Sequence, residues 1–288
     1  MAKEDEQQSS VRFDFYGPQY ARFGSANAAE VRREVYGEDI GQQNWQTATE
    51  REEVVDLLRL DTHSRVLDIA CGAGGPSLAL VERTGCRLTG LDVEAAGIAR
   101  AKAQASIRGL ADRAAFAVAD CGARLPFEDG SFDAVLCIDA ILHLGDRLKT
   151  LAEWGLLLDK GGRVLFTDGA VLTGPVAKNE LDIRAAMGSC LFVPPGFNEE
   201  AIAAVGLVLV RRDDCTTATA ETAAKWHAAR SRRATLLVGE EGADWFAQRQ
   251  LFLATTSELA RSRRLSRFLY VAERPSAAAA RTPSGLRG

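Results

Sequence analysis

From Arg65 onward the chain alternates between two patterns. Short, nearly continuous apolar runs end in an acid, and longer stretches follow whose apolar residues recur at helical spacing. "RVLDIA" (65–70), "RLTGLDV" (87–93), "AAFAVAD" (114–120), "SFDAVLCID" (131–139) and "RVLFTD" (163–168) read as strands. "GPSLALVERT" (75–84), "EAAGIARAKAQASIRG" (94–109) and "DRLKTLAEWGLLL" (146–158) read as the helices between them. Pro76 suits the first turn of one helix, and "DKGG" reads as a glycine stop after another. Strands apolar on both faces, joined by helices, predict a parallel sheet covered on both sides.

The pattern then loosens. "NELDIRAAMGS" (179–189) reads as a helix over the site and "NEEAIAAVG" (198–206) as a helix capped by Asn198. "LVLVRRDD" (207–214) and "RLSRFLYVAER" (264–274) read as two further strands, with two helices across 219–263. Residues 12–60 read as mostly helical, with Thr47 or Thr49 as a cap. The predicted fold class is α/β: a doubly wound, seven-stranded, mostly parallel sheet with a helical N-terminal lid and a C-terminal helical insertion. The expected organisation is a disordered N-terminus (1–10), a lid (11–60), a main domain (61–274) with pocket helices at 175–190 and 219–263, and a disordered tail (275–288).

The 288 residues allow one large domain with an insertion. A net charge of −4 argues against bulk nucleic-acid binding. No run reaches the roughly 18 apolar residues of a membrane span, and the polar N-terminus lacks a signal-peptide core. The six cysteines form no C-x-x-C pair and read as reduced, mostly buried thiols, so the expected location is the cytoplasm.

Five successive strands end in Asp: Asp68, Asp92, Asp120, Asp139 and Asp168. Helix capping explains one or two; five read as the rim of a polar site at the carboxyl ends of the strands. After Asp68 comes "IACGAGGPS", a glycine turn that is neither G-x-G-x-x-G nor a phosphate loop ending in Gly-Lys-Ser/Thr. An acid at this turn repels pyrophosphate and suits a hydroxylated ligand with an ammonium group.

"VLDIACGAGG" resembles the first motif of class I S-adenosylmethionine (SAM)-dependent methyltransferases, "TGLDV" the second, and "VADCGARLPFEDGSFDAVLCIDAILHL" the third and fourth. The resemblance implies a Rossmann-like methyltransferase fold with SAM as cofactor and a small-molecule acceptor. It places Asp92 on the ribose hydroxyls and Asp120 at the adenine amino group. It extends the cofactor site to Asp68, Ala70, Gly72, Gly74, Val93, Cys121 and Asp139. Tyr20 and Trp45 join them from the N-terminal helices, with Tyr16 as a further aromatic candidate. Core packing is the competing role for each aromatic. Ala70 replaces the first glycine of the motif, and its methyl group calls for a φ below zero.

For catalysis, His143 lies just past strand four, and Asp168 ends strand five next to it. The two read as a base and its orienting carboxylate, set against a purely structural His143. "ILHLGDR" is similar to the region of natural-product sugar O-methyltransferases that carries a His-His pair, of which only the second His is present here. His63 reads as a surface residue, and His227 as one on a helix face. The runs "RSRR" at 230–233 and 261–264 read as solvated helix faces, with attraction of an acidic acceptor as the alternative. No metal cluster is visible. Two rival readings stay open: a SAM-binding protein without methyl transfer, and a nicotinamide or flavin oxidoreductase. The acceptor, the atom methylated and the oligomeric state, homodimer included, are not legible.

Overall fold

The computed structural model describes residues 16–186 and 188–276. The expected disordered N-terminus (1–10) and most of the expected tail lie outside the described residues. Three helices come first: α1 (Tyr16–Arg22), α2 (Ala26–Tyr36) and α3 (Ala48–Leu58). Then β1 (Arg65–Ile69), α4 (Gly75–Thr84), β2 (Arg87–Asp92), α5 (Ala95–Ile107) and β3 (Ala114–Val118) alternate, followed by β4 (Phe132–Cys137), α6 (Arg147–Leu157) and β5 (Leu158–Leu172). The chain continues with α7 (Lys178–Arg184), α8 (Phe197–Ala204), β6 (Val208–Asp214), α9 (Thr216–Arg232), α10 (Ala234–Glu241), α11 (Ala243–Arg261) and β7 (Leu265–Glu273).

The sheet order is β3-β2-β1-β4-β5-β7-β6. The pairings from β3 to β5 are parallel. β7 runs antiparallel between β5 and β6. The predicted doubly wound, mostly parallel sheet is therefore present. Period-two alternation sorts each strand onto two cores. Leu67, Ile69, Val135, Val164 and Phe166 pack on one face with Trp154 of α6 and Ile202 of α8. Val66, Leu88, Leu136 and Leu165 pack on the other with Leu58, Leu78 and Ile98. A third cluster joins the N-terminal helices to the late ones: Val31 and Val35 meet Trp226, Trp245, Phe252 and Leu253.

Several local expectations are corrected. "DKGG" does not end a helix by a glycine cap; α6 passes at Leu158 into extended backbone (φ −69), because β5 already starts there and pairs with β4. Asn198 is not a cap, since Gly196 takes that position at φ +88 and frees the Asn198 side chain for the core. The stretch 219–263 forms three helices, broken at Arg233 and Gly242. Thr47, not Thr49, caps α3 by accepting from Glu50 N at 3.1 Å. The basic runs are ion-paired: Arg230 with Glu241, Arg232 and Arg233 with Glu34, Arg263 with Asp214, and Arg264 with Glu180. All six cysteines are free. No helix among the described residues is long and apolar enough to cross a membrane.

Candidate active site

The carboxyl ends of β1, β2 and β4 open into a cavity of about 280 Å³, near the small end of small-molecule sites. Ala70, Cys71, Gly72, Ala73 and Pro76 of the glycine turn form its floor. Asp92, Val93, Asp120, Cys121 and Asp139 line the strand ends, with His143 beyond. Tyr16, Tyr20 and the loop from Gly41 to Asn44 form the N-terminal wall. Among the described residues that line it are three aspartates and Glu94, and no lysine or arginine. That balance disfavours a pyrophosphate and suits a ligand bearing positive charge.

Asp92 organises the floor. One of its oxygens accepts from Gly72 N at 2.8 Å and the other from Glu94 N at 2.9 Å. Burial pushes its carboxyl above the ordinary value, against the lowering effect of those backbone bonds. Each oxygen keeps a lone pair for a ligand hydroxyl. Gly72 sits at φ +58, and a Cβ there would meet the Tyr20 hydroxyl at 2.5 Å. The glycine therefore admits a wall residue as closely as it would a ligand. Burial raises the Tyr20 hydroxyl well above its usual range and Tyr16 to about 12, so both stay protonated donors.

Ala70 overturns its expectation. Its φ is +57, so an alanine occupies the left-handed conformation usually left to glycine. Asp139 is also left-handed, at φ +56. It is held by Thr167, by Trp45 N at 2.7 Å and by Arg267 Nε at 2.6 Å. Arg267 also reaches Glu50 at 2.9 Å, so a buried chain of charges ties α3 to β7.

Four predicted residues lie elsewhere. Asp68 is buried beneath the turn, where it accepts from Ser77 Oγ at 2.5 Å and lines a side pocket instead of the main cavity. Burial raises its pKa to about 7. Gly74 caps α4 at φ +73 and faces Ala101 and Phe116, outside the lining. Trp45 lines a second, adjoining chamber and stacks near Phe252 with ring centroids 6.1 Å apart. Asp168 is the largest departure. It is fully buried and accepts from Arg147 Nη1 at 2.5 Å and Asn198 Nδ2 at 2.8 Å. The expected hydrogen-bonded pair with His143 is absent, because Arg147 on α6 and Asn198 on α8 occupy the carboxylate.

His143 has other partners. Its Nδ1 lies 2.5 Å from the Ser189 carbonyl oxygen, and its Nε2 lies 3.2 Å from the Tyr16 hydroxyl. A carbonyl only accepts, so Nδ1 carries the proton and the Nε2 lone pair accepts from the Tyr16 hydroxyl. Burial pulls the imidazole pKa below its ordinary value. The neutral form is therefore the form present near pH 7.

The sequence reading missed Gln43, Arg184 and Arg249. Gln43 lines both chambers, and its Oε1 is buried with no hydrogen-bond partner among the described residues. The signal for Arg249 was available: it falls on the buried stripe Trp245, Arg249, Phe252, Leu253 and Thr256 of α11. An arginine on an apolar stripe is worth flagging.

The sheet order and the acid-lined cavity at its strand ends are consistent with the resemblance to class I, SAM-dependent methyltransferases. Residues 66–162, from β1 into β5, match the methyltransferase domain family. Methyltransferase GfsG of Streptomyces halstedii is 32% identical over 117 residues, covering 41% of this chain and 42% of that protein. The 27-O-demethylrifamycin SV methyltransferase of Amycolatopsis mediterranei is 28% identical over 156 residues, covering 51% and 57%. The chain thus spans about half the length of the curated relatives it matches. Among solved structures, phosphoethanolamine N-methyltransferase 2 of Haemonchus contortus superposes with a TM-score of 0.76 at 17% identity, covering 92% of this chain and 60% of that one. The [4+2]-cyclase SpnF superposes at 0.69 with 21% identity, covering 84% and 87%. At these identities the structural likeness establishes the fold.

Proposed function

We propose that the chain is a SAM-dependent methyltransferase acting on a small-molecule acceptor by in-line displacement. The observation that carries this reading is the cavity at the strand ends, lined by carboxylates and free of cationic side chains among the described residues. Its donor set fits the cofactor. Asp92 offers two oxygens to a ribose diol, Asp120 an acceptor to an adenine amino group, and the orphaned Gln43 Oε1 an acceptor to a further N–H. SAM bound there supplies an electrophilic methyl group on a sulfonium and leaves as a neutral thioether.

The protein's share is alignment, exclusion of water and movement of one proton. Tyr16 and Tyr20 close the wall against bulk water. When an acceptor hydroxyl takes the place of Tyr16 on His143 Nε2, that nitrogen receives its proton as the new carbon–oxygen bond forms; an amine acceptor arriving neutral needs no such base. Asp168 is left out of this step, because its charge is spent on Arg147.

Calorimetric titration with SAM and S-adenosylhomocysteine tests the cofactor, with micromolar binding expected. Incubation of a metabolite extract with methyl-labelled SAM, read by mass spectrometry, tests the transfer through products heavier by one methyl group. Absence of binding to either compound overturns the proposal. Binding without any labelled product favours the second reading, a SAM-binding protein with another activity, which the cyclase among the structural neighbours keeps in view.

A further inference from the structure

Beyond His143 the main cavity adjoins a smaller chamber of about 60 Å³, with Tyr16, Asp139 and His143 in both linings. Gln19 of α1, Arg184 of α7 and Arg249 of α11 line the smaller chamber and not the main cavity. The charged residues of the chamber are already answered. Asp139 Oδ1 accepts from Thr167 Oγ1 at 2.8 Å and from Arg267 Nε at 2.6 Å, and its Oδ2 accepts from Trp45 N at 2.7 Å. Glu241 acts on Arg249 through space, as Asp139 does on Arg184. Arg184 Nη1 also donates to Thr256 Oγ1 at 3.0 Å.

Two polar atoms of the lining residues are not answered. Gln19 Oε1 and Arg184 Nε are buried with no hydrogen-bond partner among the described residues, in residues only 6% and 5% exposed. A buried polar group without a partner is costly, so each atom calls for a group that enters the chamber. One is an acceptor and the other a donor. An ionised carboxylate or phosphate oxygen has no proton to give Gln19. An ammonium has no lone pair to offer Arg184, and it would face two guanidinium groups. A hydroxyl answers both atoms, because its O–H donates and its oxygen accepts; a primary amide does the same through N–H and C=O. Water meets the same requirement, so a ligand group of this kind replaces it like for like.

We infer that the smaller chamber holds a neutral hydroxyl or primary amide of the methyl acceptor, separate from the atom that is methylated, which donates to Gln19 Oε1 and accepts from Arg184 Nε. Only the word acceptor rests on the methyltransferase reading; the neutral polar site stands on its two unpartnered atoms. The chamber has room for this group and little more of the molecule. His143 lies in both linings, so the anchored group fixes which neighbouring atom of the acceptor comes to rest beside the imidazole. Gln19 and Arg184 thereby select acceptors with a neutral polar group near the nucleophile over charged or apolar ones.

The test is saturation-transfer NMR of the full chain at pH 7 with benzyl alcohol, benzamide, sodium benzoate and benzylammonium chloride, which share one shape and differ in the head group. Benzyl alcohol or benzamide is expected to bind about tenfold more tightly than either ion. Preference for benzyl alcohol alone identifies a hydroxylated acceptor, and preference for benzamide alone an amide. Gln19→Leu and Arg184→Met are each expected to reduce the preference by about threefold or more. Gln19→Glu covers the case in which these variants do not fold; it puts a carboxylate in place of the amide and should turn the preference towards benzylammonium. Thermal melting followed by circular dichroism checks that each variant is folded. No preference for a neutral probe in the wild type, tighter binding of either ion, or a preference that both Gln19→Leu and Arg184→Met retain overturns the inference. A wild type that shows the preference but binds no S-adenosylhomocysteine in calorimetry overturns the methyltransferase reading instead.

Discussion

Arg147 Nη1 donates to Asp168 Oδ2 at 2.5 Å, with the two side chains 1% and 0% exposed. This ion pair locks α6 to β5 beneath the site, and Asn198 of α8 completes it with bonds to both partners. Removing one charge leaves the other buried and uncompensated. Asp168→Ala is expected to cost about 3–5 kcal/mol in urea denaturation. In the folded fraction the affinity for SAM should change less than threefold. A stable Asp168→Ala protein with lost activity would restore the carboxylate to the catalytic machinery.

The half-buried His143 has a pKa below its ordinary value of about 6.5, because its ring is partly withdrawn from water. Protonation is thus harder in the folded than in the unfolded chain, and this group withdraws stability as pH falls below about 6.5. With a hydroxyl acceptor, the rate should rise with pH through the His143 pKa and then level off. His143→Gln should lower kcat by about 10²–10⁴-fold. An NMR titration of the imidazole checks the shift without any acceptor; a value at or above 6.5 contradicts it.

Asp92 joins the glycine turn to β2 through Gly72 N and Glu94 N. Asp92→Ala should weaken SAM binding by about 10–100-fold, the loss expected for hydrogen bonds to a charged group. Calorimetry measures it. Unchanged affinity would show that the ribose hydroxyls are held elsewhere.

Ala70 carries the strain of a left-handed alanine at the rim of the cavity. Glycine relieves that strain but gains freedom in the unfolded chain, so the two effects partly cancel. Ala70→Gly is expected to stabilise by about 0.5–1 kcal/mol in urea denaturation. A loss of stability would mean that the alanine methyl packs well enough to outweigh its backbone strain.

The sheet was legible because each strand carries its own local signature. "RVLDI" and "FDAVLC" are short, apolar and bounded by turns, and no distant contact is needed to recognise them. The strand-end aspartates were legible as a set but not as individuals. Asp92, Asp120 and Asp139 line the cavity, whereas Asp68 and Asp168 lie within their strands and point into buried networks. Their partners Ser77, Arg147 and Asn198 are brought in by other elements, so spacing along the chain gave no sign of them. Arg184 illustrates the same limit. Nothing in "ELDIRAA" separates it from a solvated arginine until α11 packs against α7.

β7 lies between β5 and β6, although β6 precedes it in the chain. Arg267 on that last strand is also the residue that reaches Asp139 and Glu50. During synthesis from the N-terminus, β6 therefore has no sheet neighbour until the end of the domain emerges. The N-terminal wall likewise lacks its buried counter-charge until then. The glycine turn is translated early, but the cavity above it closes last, when insertion of one strand completes the sheet and anchors α3 in the same event.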